Sequence, residues 1–163
     1  FHPSFLRARR EPHGFQHMSQ FRTILIAEDS PADAEMTIDA LREARLANPI
    51  VHVEDGVEAL DFLLRRGAFA DREDGLPAVL LLDIKMPRMD GLEVLQRIRA
   101  EEEFKRLPVV ILSSSREEND LARSWDLGVN AYVVKPVDID QFFNAVKTLG
   151  TFWAVINQSP ERE

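Results

Sequence analysis

Five side chains spread along the 163-residue chain have the right types to share one piece of chemistry. They are the carboxylates of Glu28, Asp29 and Asp83, the hydroxyl of Ser113 and the ammonium of Lys135. Each directly follows a short apolar run: TILIA before Glu28-Asp29, AVLLL before Asp83, VVIL before Ser113 and AYVV before Lys135. Three carboxylates within a few ångströms repel, and one takes up a proton unless a cation joins them. Oxygen ligands without His or Cys suit Mg2+, which keeps several waters and is held by one or two carboxylates plus a phosphate. A carboxylate in such a site can attack phosphorus and form an acyl phosphate. The Lys135 ammonium would neutralise charge on the transferring group, and the Ser113 hydroxyl would donate to a phosphoryl oxygen.

Taken singly, each residue has a plainer explanation. An Asp after a strand is most often turn chemistry or a helix cap. Glu28-Asp29 would then be a solvated pair, Ser113 a cap and Lys135 a surface lysine. The case for chemistry is the coincidence of four strand ends, and it depends on the elements that bring them together.

From residue 21 onward, β-rich runs alternate with amphipathic stretches. TILIA (23–27) is too short for a helix and rich in β-branched residues. Ser30, Pro31 and Asp33 are helix-start residues, followed by Ala34, Ile38 and Leu41 on one face. IVHV (50–53) reads as a second strand. Asp55-Gly56 leads into a helix with Val57, Leu60 and Leu64 expected inward and Gly67 as its stop. Residues 68–77 read as an exposed polar loop. AVLLL (78–82), apolar at every position, suits a strand covered on both faces. A third helix carries Leu92, Leu95 and Ile98; VVIL (109–112) is the fourth strand. A helix with Leu121 and Trp125 ends at Gly128, AYVV (131–134) is the fifth strand, and DIDQFFNAVKTLGTFWAVI closes the domain. Five strand-then-helix units imply a doubly wound parallel α/β sheet in the order 2-1-3-4-5, flavodoxin-like, with helices on both faces. In that order strands 1, 3, 4 and 5 are neighbours, their carboxyl ends form one edge, and Asp83 sits in the middle as the candidate nucleophile.

The totals are compatible with this and exclude other classes. Length suits one domain, and 45% hydrophobic with 29% charged residues is a globular mix. No apolar stretch approaches the roughly 18 residues of a membrane helix. Cysteine is absent, which removes disulfides and thiolate metal sites and fits a cytoplasmic protein. The net charge of −8 argues against a nucleic-acid partner. Residues 1–17, with three arginines, three histidines and two prolines and no sustained period, read as a leader or upstream extension. The domain is expected over 18–150, with 151–163 as an apolar extension and tail.

The motifs EDS (28–30), LLLDIKMPRMDG (80–91), VVILSSS (109–115) and AYVVKP (131–136) together resemble the receiver domain of two-component response regulators. The likeness spans essentially all of 21–150, and Ser113 and Lys135 stand 30 and 52 residues beyond Asp83, as in receivers. The resemblance implies that Asp83 is phosphorylated by a histidine kinase. It implies that Glu28, Asp29 and Asp83 bind Mg2+, for which Mn2+ can substitute, with the backbone carbonyl of Lys85. It further implies that Ser113, with Ser114, and Tyr132 are the phosphoryl-binding and switch positions beside Lys135, and that the Lys135–Pro136 peptide is cis. Such a protein is a switch rather than an enzyme, its helix 4–strand 5–helix 5 face changing on phosphorylation.

Three residues depart from the usual pattern. Glu28 replaces the commoner Asp, Ser113 lacks the methyl of Thr, and Lys85 sets a basic side chain beside the phosphorylation site, where it is expected to alter the lifetime of the acyl phosphate. About a dozen residues follow the last helix, so no output domain is expected. The insertion at 68–77 and the aromatic C-terminus resemble the small regulators paired with bacterial phytochromes. A chemotaxis-type regulator or a phosphorylation-independent pseudo-receiver is the alternative. A haloacid-dehalogenase-like phosphohydrolase is remote, because it would want a carboxylate where Lys85 stands. The apolar residues of the last two helices, with Trp125, Phe143, Phe152 and Trp153 as the candidate face, exceed what one helix face buries and predict a homodimer.

Overall fold

A computed structural model describes residues 21–135 and 138–158. Five parallel strands, β1 (Ile24–Ala27), β2 (Ile50–Val53), β3 (Val79–Leu82), β4 (Val109–Ser113) and β5 (Ala131–Val134), form one sheet in the order β2-β1-β3-β4-β5. The helices are α1 (Pro31–Glu43), α2 (Gly56–Leu64), α3 (Gly91–Ala100), α4 (Glu118–Asp126) and α5 (Ile139–Thr151), the last continuing as a wider turn over Phe152–Ile156. The flavodoxin-like topology read from the alternation is the one observed.

Alternation along the strands divides the core in two. Leu25, Ala27, Leu80, Leu82, Val109 and Ile111 face one layer with Phe62, Leu95 and Ile98 from α2 and α3. Ile24, Ile26, Val79, Leu81, Val110 and Leu112 face the other, with Leu41 of α1 and Phe142 and Val146 of α5. Apart from Ala27, each of these side chains contributes about 1.5–3 kcal/mol on burial, so the three central strands are held rigidly where they deliver their last residues.

Local chemistry starts the helices. The Ser30 hydroxyl accepts from the Asp33 amide, Asp55 from Glu58, Asp90 from Glu93, and Asp138 from Asp140 and Gln141. Each leaves fewer bare amides in a first turn.

In α2 the expected inward set was wrong at two of three positions. Leu60 is buried, but Leu64 is exposed and Val57 only half-buried; Ala59, Phe62 and Leu63 take the core instead. Glu58 and Asp61 mark the polar side of this helix, and Val57 and Leu64 share it, four residues before and three after Asp61. Nor does Gly67 end this helix: Arg65 does, in the left-handed conformation at φ 55°. The 68–77 loop is largely exposed yet pinned, since Arg72 stacks 4.1 Å over the Phe62 ring and bonds the carbonyls of Phe62, Asp74 and Gly75.

Candidate functional site

The helix caps decide between the plain and the chemical explanations of the strand-end residues. Helix α1 is capped by Ser30, so Glu28 and Asp29 are not needed there. Helix α3 is capped by Asp90, seven residues past Asp83. Asp83 instead stays at the end of β3, where its Oδ1 accepts from the Ile84 amide at 2.8 Å and its Oδ2 is left for other partners. Lys135, far from being a surface lysine, has a side chain only 13% exposed.

Four of the five residues meet, and Ser113 stands at the end of the neighbouring strand. Ligand atoms of Glu28, Asp29 and Asp83 lie within 4.8 Å of one another, with Glu28 and Asp83 buried and Asp29 exposed. Lys135 Nζ donates to Glu28 Oε1 at 2.5 Å and to Asp33 Oδ2 at 2.8 Å, and reaches Asp83 Oδ2 at 3.5 Å. Ser113 closes the edge from β4, fully buried, its Oγ accepting from the Ser115 amide at 3.1 Å.

Electrostatically the site is one cation short. Burial pushes the Glu28 carboxyl up to about 9, with the adjacent Asp83 adding to the rise and Lys135 only partly offsetting it. Its buried Oε2 has no hydrogen-bond partner. A buried carboxylate oxygen with no donor is costly, and three clustered carboxylates outnumber the single ammonium. Lys135 is held above the usual lysine value: burial opposes this, but Asp33 and Glu28 outweigh it. Asp33 is drawn down, its own partial burial overcome by Lys135. The orphaned oxygen and the all-oxygen donor set fit a hard divalent cation. Glu28, Asp29 and Asp83 are the residues placed to hold it.

Other expected positions fall as follows. Lys85 is exposed, two residues beyond Asp83, with Nζ 3.9 Å from Asp120 Oδ2. Ser114 is exposed. Tyr132 is half-buried on edge strand β5, its hydroxyl donating to the Ser115 carbonyl at 2.9 Å; burial raises its pKa. The Lys135–Pro136 peptide and the leader 1–17 lie outside the described residues. Trp125 is 53% and Phe152 44% exposed, whereas Phe143 and Trp153 are half-buried against the α5 layer.

Sequence reasoning misses four participants. Asp33, by sequence only a first-turn acid, is the nearer carboxylate partner of Lys135 compared with Asp83. His52 Nε2 contacts the Glu28 carbonyl at 2.7 Å from β2. Asp55, beyond capping α2, binds Arg88 through Nε at 2.8 Å and Nη2 at 2.7 Å. That bond ties the loop after β3 to the loop after β2, and Arg88 sits at φ 63°, a conformation unusual for a non-glycine residue. Ser115 stands in the sequence simply as part of a serine-rich helix start. Asp33 alone leaves a signal in sequence, four residues past Asp29 on the first turn of a helix starting at the same edge.

A five-stranded parallel sheet whose carboxyl edge gathers acidic residues, a hydroxyl and a lysine defines a class, and the family comparison gives it a name. The response regulator receiver domain model matches residues 24–147, and the chain belongs to that family. Its relatives include the phytochrome response regulators. Response regulator Rcp1 of Synechocystis sp. is 33% identical over 132 residues, 81% of this chain and 88% of Rcp1. A crystal structure of Rcp1 in its Mn2+-bound form has a TM-score of 0.79 to this fold, at 32% identity over 86% of this chain and 99% of that one. The bacteriophytochrome response regulator AtBRR is 53% identical, with a TM-score of 0.68 over 85% of this chain and 99% of that one. The phosphorylated cyanobacterial phytochrome response regulator RcpA reaches 0.80 at 36% identity, covering 86% and 99%.

Proposed function

We propose that this receiver accepts a phosphoryl group on Asp83 from the phosphohistidine of a histidine kinase of the bacteriophytochrome type, and signals by a change in the α4–β5–α5 face. The observation that carries the reading is the placement of Asp83. It is a strand-end carboxylate excused from capping, with Lys135 at 3.5 Å and two further carboxylates alongside. A carboxylate oxygen of Asp83 attacks phosphorus, the donor P–N bond breaks, and the imidazole leaves with a proton from solvent. Lys135 neutralises the incoming charge, with Asp33 fixing its ammonium in place. The Ser113 hydroxyl turns to donate to a phosphoryl oxygen, and Tyr132 follows it inward. Mg2+, or Mn2+ as in the Mn2+-bound Rcp1, would be held by Glu28, Asp29, Asp83 and the Lys85 carbonyl, and supplies charge neutralisation for the phosphoryl oxygens. The protein acts on no substrate beyond its own phosphorylation and dephosphorylation.

The residue two past Asp83 supports a phosphoreceiver over a hydrolase: it is Lys85, where a hydrolase of the haloacid-dehalogenase type would want a carboxylate. The −8 charge disfavours nucleic acid, no helix of the described residues is long and apolar enough to cross a membrane, and a cytoplasmic site of action follows from the proposed partner. The exposed Trp125 and Phe152 support a homodimer. Incubation with acetyl phosphate and Mg2+ followed by intact-mass measurement tests the central reading. One added phosphate, absent in Asp83→Asn, is expected; steady turnover of added phosphoesters would instead make it a hydrolase.

A further inference from the structure

Four polar contacts converge on Ser115, in the loop between β4 and α4. Its amide donates to Ser113 Oγ at 3.1 Å, and its carbonyl accepts from the Tyr132 hydroxyl at 2.9 Å. Its hydroxyl donates to Asp120 Oδ2 at 2.7 Å and accepts from the Glu117 amide at 3.3 Å. Asp120, in the first turns of α4, is 9% exposed. The same Oδ2 faces Lys85 Nζ at 3.9 Å. One serine therefore touches both residues that must move if phosphorylation is to be read, and one buried carboxylate ties that serine to the loop carrying Asp83.

The contacts are unequal. A hydroxyl bonded to a buried carboxylate is charge-assisted and among the stronger hydrogen bonds. The Lys85 side chain is 65% exposed, and such a pair is weak in itself. The assembly is firm at the loop and loose at the end nearest Asp83. Phosphorylation replaces the single charge of the Asp83 carboxylate by up to about two on the acyl phosphate, a net gain of about one negative charge two residues from Lys85, and the phosphoryl group competes with Asp120 for the ammonium. Without that ammonium the buried Asp120 charge becomes more costly where it stands, and its hold on Ser115 weakens.

We propose that Asp120 is a positioning residue: through Ser115 it latches Ser113 and Tyr132 in the unphosphorylated arrangement, and Lys85 couples the latch to the charge on Asp83. The inference rests on Asp83 being the phosphoryl acceptor. In the resting state Ser113 Oγ is occupied by the Ser115 amide and Tyr132 by the Ser115 carbonyl, so neither turns toward Asp83 until the loop lets go. Breaking the latch by mutation therefore moves the resting protein toward its phosphorylated arrangement.

Tyr132 is the single tyrosine of the chain, so incorporation of 3-fluorotyrosine gives one 19F resonance that reports it. Ser115→Ala removes the hydroxyl that reaches Asp120 and keeps the backbone groups; Asp120→Ala removes the anchor. In both, with no phosphoryl mimic present, the resonance is expected to shift toward the position wild type adopts with Mg2+ and beryllofluoride. Both should bind beryllofluoride more tightly, by about fivefold or more, the lower end of usual coupling between two sites. Asp120→Asn keeps an oxygen acceptor and should restore most of the wild-type resonance. A loosened fold would weaken beryllofluoride binding, so tighter binding separates latching from damage. A Ser115→Ala resonance at the wild-type resting position, or weaker beryllofluoride binding in both variants, overturns the proposal. If wild type takes up no phosphate at Asp83 by intact mass, the receiver reading fails instead. The latch is then judged by whether Ser115→Ala displaces the resting Tyr132 resonance.

Discussion

Gly91→Ala should be among the most damaging single-methyl additions available in this protein, and it should act on the site as much as on stability. Gly91 is the first residue of α3, where alanine would ordinarily be the better choice, by up to about 1 kcal/mol. Here an added Cβ would lie 2.1 Å from the Asp83 carbonyl oxygen, 2.9 Å from its carbon and 3.0 Å from the Ile84 Cα. All three are backbone atoms, and the Gly91 amide is itself bonded to the Ile84 carbonyl. Relief therefore requires the chain end of β3 and the start of α3 to part by about 1 Å. Overpacking of this kind costs roughly 1–3 kcal/mol, which outweighs the propensity gain, so a net loss of about 1–2 kcal/mol and a Tm lowered by roughly 2–8 °C are expected. Because the group displaced is the backbone of Asp83, and misplacement by about 1 Å can cost on the order of 100-fold in rate, acetyl phosphate labelling should slow at least tenfold in protein that is still folded. Gly75, where an added methyl would meet nothing within 4 Å, is the control. Gly75→Ala should leave labelling unchanged and alter stability by less than about 1 kcal/mol. Thermal melts and labelling rates of the two variants side by side are the assay. Equal behaviour of the two would refute the close-approach argument.

Asp55→Asn should remove a pH-dependent part of the stability while keeping the α2 cap, since Asn caps as well as Asp. Burial opposes ionisation of Asp55, but the Glu58 amide and Arg88 hold its pKa below the usual value. Its contribution is thus present above about pH 4 and lost as pH falls through the lower folded value. With Arg88 57% exposed, the gap in urea stability at pH 7 should be about 0.5–1 kcal/mol and close below pH 4; a gap constant from pH 7 to 3 would exclude the ion pair as its source. Lys85→Ala is expected to change the dephosphorylation rate of Asp83 by several-fold in a chase of labelled protein, and an unchanged rate would remove Lys85 from the chemistry. Light scattering at micromolar concentration should show a dimer that weakens in Phe152→Ala, whereas a monomer with and without a phosphoryl mimic would leave the exposed apolar face to another partner.

The order of elements and the strand-end residues were legible in the sequence because both depend on local rules. Period-two burial, helical spacing and cap residues sit within a few positions of the feature they mark. That was enough to set β2-β1-β3-β4-β5 and to place Glu28, Asp29, Asp83, Ser113 and Lys135 on one edge. The sequence did not show the roll of α2 through its apolar residues, only through Glu58 and Asp61, whose side Val57 and Leu64 share. Nor did it reveal that α4 would bury Ser124 and Asp120 while leaving Leu121 and Trp125 exposed. Both buried polar groups there are satisfied, Asp120 by the Ser115 hydroxyl and Ser124 by the Asp120 carbonyl.

The pairings that refine the site belong to the tertiary structure alone. Asp33 and Lys135 are 102 residues apart, and Asp55 and Arg88 are 33 apart. Each partner has an adequate local role as a first-turn acid, a cap or a loop cation, so nothing in its neighbourhood signals the second bond. Such contacts exist only once a rigid sheet fixes the distance between loops, since the cost of ordering two long side chains is recovered only when their ends already meet. The chemistry of this protein was written at its strand ends, while the arrangement of the groups that hold Lys135, Ser113 and Tyr132 was decided by the packing of loops against that edge.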